Sequence, residues 1–367
     1  MSKRLFTIIL ILGATTLLSA QGLYVEPALR YSYHIPFPDY ADYPVYGADL
    51  RIGCQTDGNH EWERFFNYPS FGLDLRFEHH TLKDYFDEQS QQFIDLGNCY
   101  SVFGYCNGHL INRPKFQFDY TWGGGLSFWP NYGNRLISTP VTVHLNLDFG
   151  PVFRINDHWD LLVRAVYSHA SNGAIKVPNK GVNVLGGQIG VRCFPKGRVS
   201  AVAHADDSIF RKSNAIYVLN GIGFYESTSV DDLYCIGNTF QVGYTRSFHR
   251  CFRYGGGIDV LFSGENKAMY AVNNASERFR TIDYFGIAPF ASFDILYGDF
   301  VFHLSAAYYL WQPAEYLPKG YQKYYERLAF HYHFGPQKRF FAGVGMKVHR
   351  DCIDYIEWTV GANLWKW

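Results

Sequence analysis

Ser171, His169 and Asn183 place a hydroxyl, an imidazole and a carboxamide within a short span of chain. A serine hydroxyl is a weak nucleophile until a neighbouring base takes its proton and a third group holds that base in the right tautomer. In this set Ser171 would attack, His169 would act as base and then as acid, and Asn183 would orient the imidazole. The same residue types would also suit the wet rim of a β-hairpin, and a short motif alone does not separate the two readings.

The segments on either side carry the pattern that would position these groups. Leu161, Val163, Ala165 and Tyr167 alternate with Leu162, Arg164, Val166 and Ser168, the period of a strand with one apolar face. His169 and Ser171 continue the apolar parity, so they sit at the end of an outward-looking face. Asn183, Leu185, Gly187, Ile189 and Val191 alternate in the same way with Val184, Gly186, Gln188, Gly190 and Arg192. A hairpin closed symmetrically about residue 176 sets His169 directly opposite Asn183, with Cβ atoms about 4.5–5.5 Å apart.

Composition points to the architecture. Phe, Tyr and Trp make up 19% of the chain, which has 35 Gly and only 3 Met. Aromatic girdles and glycine kinks belong to membrane β-barrels, whose alternating strands keep overall hydropathy unremarkable. The formal net charge of +0 gives no sign of a nucleic-acid partner. Lys3 and Arg4, an apolar run over 5–12 and Ser19-Ala20 before Gln21 form a secretory signal peptide over 1–20. No later apolar run reaches the roughly 20 residues of a membrane helix, so an exported, membrane-embedded chain has to be a barrel.

Sixteen alternating segments follow from residue 22, with no convincing helix. Eight precede a polar break at 195–213 and eight follow it. The expected fold is therefore all-β, a transmembrane antiparallel β-barrel of about 14–16 strands. One large closed sheet over 21–367 is preferred because it leaves no edge. Two tandem 8-stranded units, divided near 195/196, are the alternative. Tight turns at Asn156-Asp157 and Gly298-Asp299 read as periplasmic, and the longer connection at 172–181 as extracellular.

Other candidate features have simpler readings. Gly123-Gly124-Gly125 and Gly255-Gly256-Gly257 lie inside strands and suit bends of a curved sheet better than a phosphate cradle. His79 with His80, and His331 with His333, lack a fixed third ligand and read as rim or lumen histidines. None of the seven cysteines has a metal-like spacing; Cys99 and Cys106 could bridge a loop, but free thiols are the simpler reading. No metal site is expected. The terminal strand carries Trp365 and Trp367 off the parity of Trp358, Val360 and Leu364, which calls for a bulge or a frayed end. Arg30, Arg51, Arg76, Arg164, Arg192, Asp148 and Asp259 would line the lumen.

The motif His169-Ala170-Ser171-Asn172-Gly173, followed by Pro178-Asn179-Lys180-Gly181, resembles the lipid A 3-O-deacylase (PagL) family of outer-membrane acyl hydrolases. The likeness is tightest over 159–194. His169 and Ser171 match that family's catalytic pair, and Asn183 stands where the family has a Glu. A His-x-Ser-Asn-Gly motif with Asn as third member is also similar to outer membrane phospholipase A. The resemblance implies an outer-membrane serine esterase that removes a fatty acyl chain from lipid A of lipopolysaccharide in the outer leaflet. Asn179, Asn172 and Gly173 are the candidate oxyanion-hole residues, and no cofactor is needed. The phospholipase alternative would bring calcium and dimerisation; a non-enzymatic porin or structural barrel is a third reading. The sequence leaves the oligomeric state open.

Overall fold

The computed structural model describes residues 22–35, 42–88, 90–199, 210, 212–227, 230, 232–312, 323–349 and 352–367. The expected signal peptide over 1–20 lies outside the described residues. The chain divides into two compact units, one of residues 1–172 and 180–205, the other of 173–179 and 206–367.

In the first unit the alternating segments form β1 (Leu23–His34), β2 (Pro44–Gln55), β3 (Ser70–His80), β6 (Gly97–Asn112), β7 (Phe116–Phe128), β8 (Val141–Arg154), β9 (Trp159–Ser171) and β10 (Val182–Cys193). A small hairpin of β4 (Tyr85–Asp87) and β5 (Gln92–Ile94) fills the connection between β3 and β6. The eight wall strands close into a barrel because β1 pairs with β10, from Val25 opposite Cys193 to His34 opposite Val184. The second unit closes separately, with β11 (Asn214–Glu226) paired to β12 (Tyr234–His249) on one side and to β18 (Cys352–Lys366) on the other. Between them run β13 (Phe252–Ser263), β14 (Phe285–Tyr297), β15 (Phe300–Tyr308), β16 (Tyr324–Phe334) and β17 (Phe340–His349).

The expected all-β antiparallel architecture thus forms, with the tandem 8-stranded alternative in place of the preferred single larger sheet. Eight strands enclose a lumen just wide enough for side chains to fill, and these sequences supply the filling. The expectation of no helix holds for the walls, while α1 (Glu61–Phe65) and α2 (Glu265–Val272) lie in connections. The bulge expected near the C-terminus is present: Ile216 pairs with Trp365 but Tyr217 with Asn363, which turns Trp365 outward.

Each wall has the two faces that the alternation demands. Outward positions such as Leu161, Val163, Leu185 and Ile189 are exposed apolar groups suited to lipid, whereas the intervening residues are buried in the lumen. In the first barrel that interior is an ion lattice. Arg51 reaches Asp74 at 2.7 Å and Asp148 at 2.5 Å, Arg76 reaches Asp49 at 2.6 Å, and Glu26 holds both Arg164 and Arg192. In the second barrel Arg327 joins Asp259 at 2.8 Å and Glu357 at 2.7 Å, and Tyr325 donates to Asp259. His331 and His333 are buried lumen residues, as expected.

At the end of the first barrel where β9 finishes, an apolar plug covers the lattice. Leu82, Ile94, Leu96, Trp129, Leu136 and Ile137 from the connections pack on Val45, Ala170, Val182 and Val184 from the walls. An ion pair of Arg135 with Asp87, 2.9 Å, ties the β7–β8 connection to the small hairpin. Burial works against ionisation of Asp87, but hydrogen bonds from Ser90 and the charge of Arg135 hold its carboxyl below the usual range.

Removing one partner of a buried ion pair leaves uncompensated charge, at about 3–5 kcal/mol. We predict a loss of that order for Arg51→Met, which strands Asp148 and leaves Asp74 with Arg76 at 3.5 Å. Guanidinium unfolding of the detergent-solubilised protein, followed by tryptophan fluorescence, measures it; a loss below about 1 kcal/mol, the range of a surface pair, would refute the role given to the lattice.

Candidate active site

The β9–β10 hairpin pairs without a register shift, from Trp159 opposite Cys193 to Ala170 opposite Val182, and this sets Asn183 directly opposite His169 as the alternation predicts. On the other side of β9, Val143 and Leu145 of β8 lie opposite Ser171 and His169. Tyr167, His169 and Ser171 therefore share one face, with Asn183 beside the imidazole.

The side chains make the row that their spacing suggests. His169 Nδ1 lies 2.8 Å from Asn183 Oδ1, and His169 Nε2 lies 3.0 Å from Ser171 Oγ. An amide oxygen can only accept, so Nδ1 carries the ring proton and Nε2 is left as the acceptor for the Ser171 hydroxyl. The tautomer required of a general base is thus set by Asn183. Ser171 is largely covered, at 7% exposure, while His169 and Asn183 are half-buried.

Sequence reasoning missed Tyr167. Its hydroxyl donates to the same Asn183 Oδ1 at 2.9 Å, so two donors converge on one oxygen and fix which way the amide faces. The only available signal was its parity with His169, two residues on.

Backbone geometry closes the site from behind. Gly181 has φ +73°, and a Cβ there would stand 2.9 Å from His169 Cε1, 3.0 Å from the Ala170 carbonyl oxygen and 3.1 Å from Ser171 Cβ. Its N–H donates to the Leu136 carbonyl, and that of Lys180 to Arg135, so the β7–β8 connection holds the entry into β10. Asn172 is buried with its amide donating to Ser138 Oγ at 2.9 Å, which commits that side-chain nitrogen to the same connection. Gly173, at φ +61°, and Asn179 fall in the 173–179 stretch that groups with the second unit.

The simpler readings of two other features hold. His79 and His80 do not act as a pair, because adjacent strand residues face opposite ways: His79 is exposed with Asn98 at 2.8 Å, and His80 is inside the lumen. Cys99 and Cys106 enclose no loop, since both lie on β6, and Cys54, Cys99, Cys106, Cys193, Cys235 and Cys251 are free thiols.

An adjacent Ser and His in this geometry can make the serine nucleophilic. We predict that Gly181→Ala, which pushes on both side chains, slows labelling of Ser171 by a fluorophosphonate by about 100-fold, the effect of a misplacement near 1 Å. Intact-protein mass spectrometry reads the rate, and an unchanged rate would show that the close approach of Gly181 does not position the pair.

The model of the family described as Lipid A 3-O-deacylase (PagL) matches residues 46–192, and that of the acyloxyacyl hydrolase C-terminal domain matches residues 213–367. No curated protein matches the chain. Among solved structures, Neisserial surface protein A (NspA) is 14% identical over 47% of this chain and 97% of its own, with a TM-score of 0.31. The Pseudomonas putida toluene transporter TodX is 10% identical over 95% of this chain and 90% of its own, with a TM-score of 0.18. At these values neither adds to the assignment. With one family model on each barrel, and the first spanning the strands that carry Ser171, His169 and Asn183, the chain belongs to the PagL-like family of outer-membrane lipid A deacylases.

Proposed function

We propose that this protein is a serine esterase that removes a fatty acyl chain from lipid A of lipopolysaccharide, using Ser171, His169 and Asn183. The observation that carries the reading is the continuous hydrogen-bonded row from Asn183 Oδ1 through the His169 ring to Ser171 Oγ, on the outward face of a barrel wall. In a family of ester hydrolases, that row supplies nucleophile, base and orienting group in the required order.

Ser171 Oγ attacks the ester carbonyl while His169 Nε2 takes its proton. The tetrahedral oxyanion is received by N–H donors after the serine, with Asn172, Gly173 and Asn179 the candidates, and each well-aimed donor contributes about 2.7–4 kcal/mol. His169 then passes the proton to the leaving alkoxide, and water releases the fatty acid from the acyl-enzyme by the reverse sequence. Asn183 holds the imidazolium through a neutral dipole, and Tyr167 holds Asn183.

Opposite the connections after β2, β6 and β8, of 14, 3 and 4 residues, the end that carries the site holds those after β1, β3, β7 and β9, of 9, 16, 12 and 10 residues, and so has most of the connecting chain. Bacterial barrels keep their longer loops outside the cell, so this end faces the outer leaflet, where lipid A resides. Asn183 in third place also fits a phospholipase A-like hydrolase, a second reading with glycerophospholipid as substrate and a role for calcium.

Mass spectrometry of lipid A from expressing cells tests the proposal. Ser171→Ala should lower deacylation by at least about 1,000-fold, as loss of a nucleophile does. A hydrogen bond to a charged group is worth about 1.5–3 kcal/mol, so Asn183→Ala should lower the rate by about 10- to 150-fold. Undiminished lipid A deacylation by Ser171→Ala would refute the assignment. Calcium-dependent release from phospholipid alone would replace it with the second reading.

A further inference from the structure

Below the apolar plug, the pairing of β3 with β6 sets Glu78 opposite Cys99, and His80 lies on the same lumen face two residues beyond Glu78. One ligand-capable atom from each of Glu78, His80 and Cys99 falls within 4.8 Å of the others, and all three residues are buried. We propose that these residues bind a zinc-class divalent cation inside the first barrel, at a site separate from the esterase row.

The polar atoms here are short of partners in the way a metal would correct. His80 is only 2% exposed, and its Nδ1 faces His34 Nε2 at 3.0 Å, while no described residue hydrogen-bonds its Nε2. Glu78 Oε1 likewise accepts no hydrogen bond and has Arg30 Nη1 at 3.4 Å as its ion-pair partner. Cys99 Sγ has a weak contact to Ser101 Oγ, at 3.6 Å, with the Ser127 hydroxyl as its other neighbour. Leaving a buried polar atom such as His80 Nε2 unpaired costs about 1–3 kcal/mol. A single cation would pair the nitrogen, the carboxylate and the sulfur together.

The chemistry of the donors selects the ion. Thiolate, imidazole and carboxylate together match zinc, and a set lacking further oxygens is poor for calcium or magnesium. Binding displaces the Cys99 thiol proton to solvent, so the thiolate adds its charge to that of Glu78, while Arg30, the ion-pair partner of Glu78, also has Asp49 at 3.8 Å. His34 supplies the outer partner that a ligating imidazole needs: it accepts from His80 Nδ1–H and leaves Nε2 for the metal. The His80 ring lies 5.0 Å from that of Trp129, and Cys99 belongs to the plug cluster itself. The ion would therefore tie β3 to β6 at the base of the plug.

The test uses the full-length protein in detergent, stripped with chelator and titrated with Zn²⁺ and then with Co²⁺ as a spectroscopic probe. Wild type should retain one Zn²⁺ per chain after gel filtration and give a thiolate-to-cobalt charge-transfer band. Cys99→Ser should abolish that band, whereas Cys106→Ser, a buried thiol elsewhere on β6, should leave it intact. His80→Gln should weaken Zn²⁺ by at least about 100-fold and His34→Ala by about 10- to 100-fold, the usual effect of an outer partner. Absence of stoichiometric binding by the wild type would overturn the proposal. So would a charge-transfer band that survives in folded Cys99→Ser, folding being checked by heat-modifiable migration in gels. If that variant fails to fold, the wild-type band together with the His80→Gln affinity decides.

Discussion

Strand register is the constraint on which the site depends. The side-chain period of a strand is two residues, so a slip of one between β9 and β10 would turn His169 and Ser171 into the lumen and Arg164 toward lipid. An arginine facing the bilayer midplane costs about 2–4 kcal/mol. Glu26 of β1 adds to that penalty by holding Arg164 of β9 and Arg192 of β10 at once, across the seam where the first barrel closes. The ion lattice of the interior and the chemistry of the outer face are therefore two sides of one pairing.

Much of this was legible in the alternation of residues. Parity gave the sixteen wall strands, the outward face of His169 and Ser171, and Asn183 across the hairpin, because each of these follows from local periodicity and a short loop. Closure was not legible. Whether β10 returns to β1 or passes on to β11 depends on how many strands the lumen side chains can fill around, a property of the whole set. The Glu78–His80–Cys99 cluster was hidden for a related reason. Its members are brought together by pairing across a connection that contains a second hairpin, and neither their spacing nor their types announce it.

On the proposed reading, the third member of the row would arrange the base with neutral groups alone. A carboxylate beside an imidazole both orients the ring and balances the charge that appears on it. Asn183 can do only the first, and it does so with its oxygen fixed by donors from two directions, His169 and Tyr167. Orientation is thus over-determined where electrostatic compensation is weak. Gly181 adds a steric limit behind the imidazole, so the position of the ring is fixed by contacts as well as hydrogen bonds.

The apolar plug over the first barrel has a kinetic meaning beyond packing. With aliphatic and indole groups filling the described mouth and charged pairs filling the space beneath, that barrel is no conduit for solutes. On the proposed reading, an ester reaches Ser171 sideways, by lateral diffusion within its own leaflet. The encounter is then a two-dimensional one, set by the mole fraction of substrate among its neighbouring amphiphiles and not by its bulk concentration, so dilution with inert detergent would act on the rate as a loss of substrate.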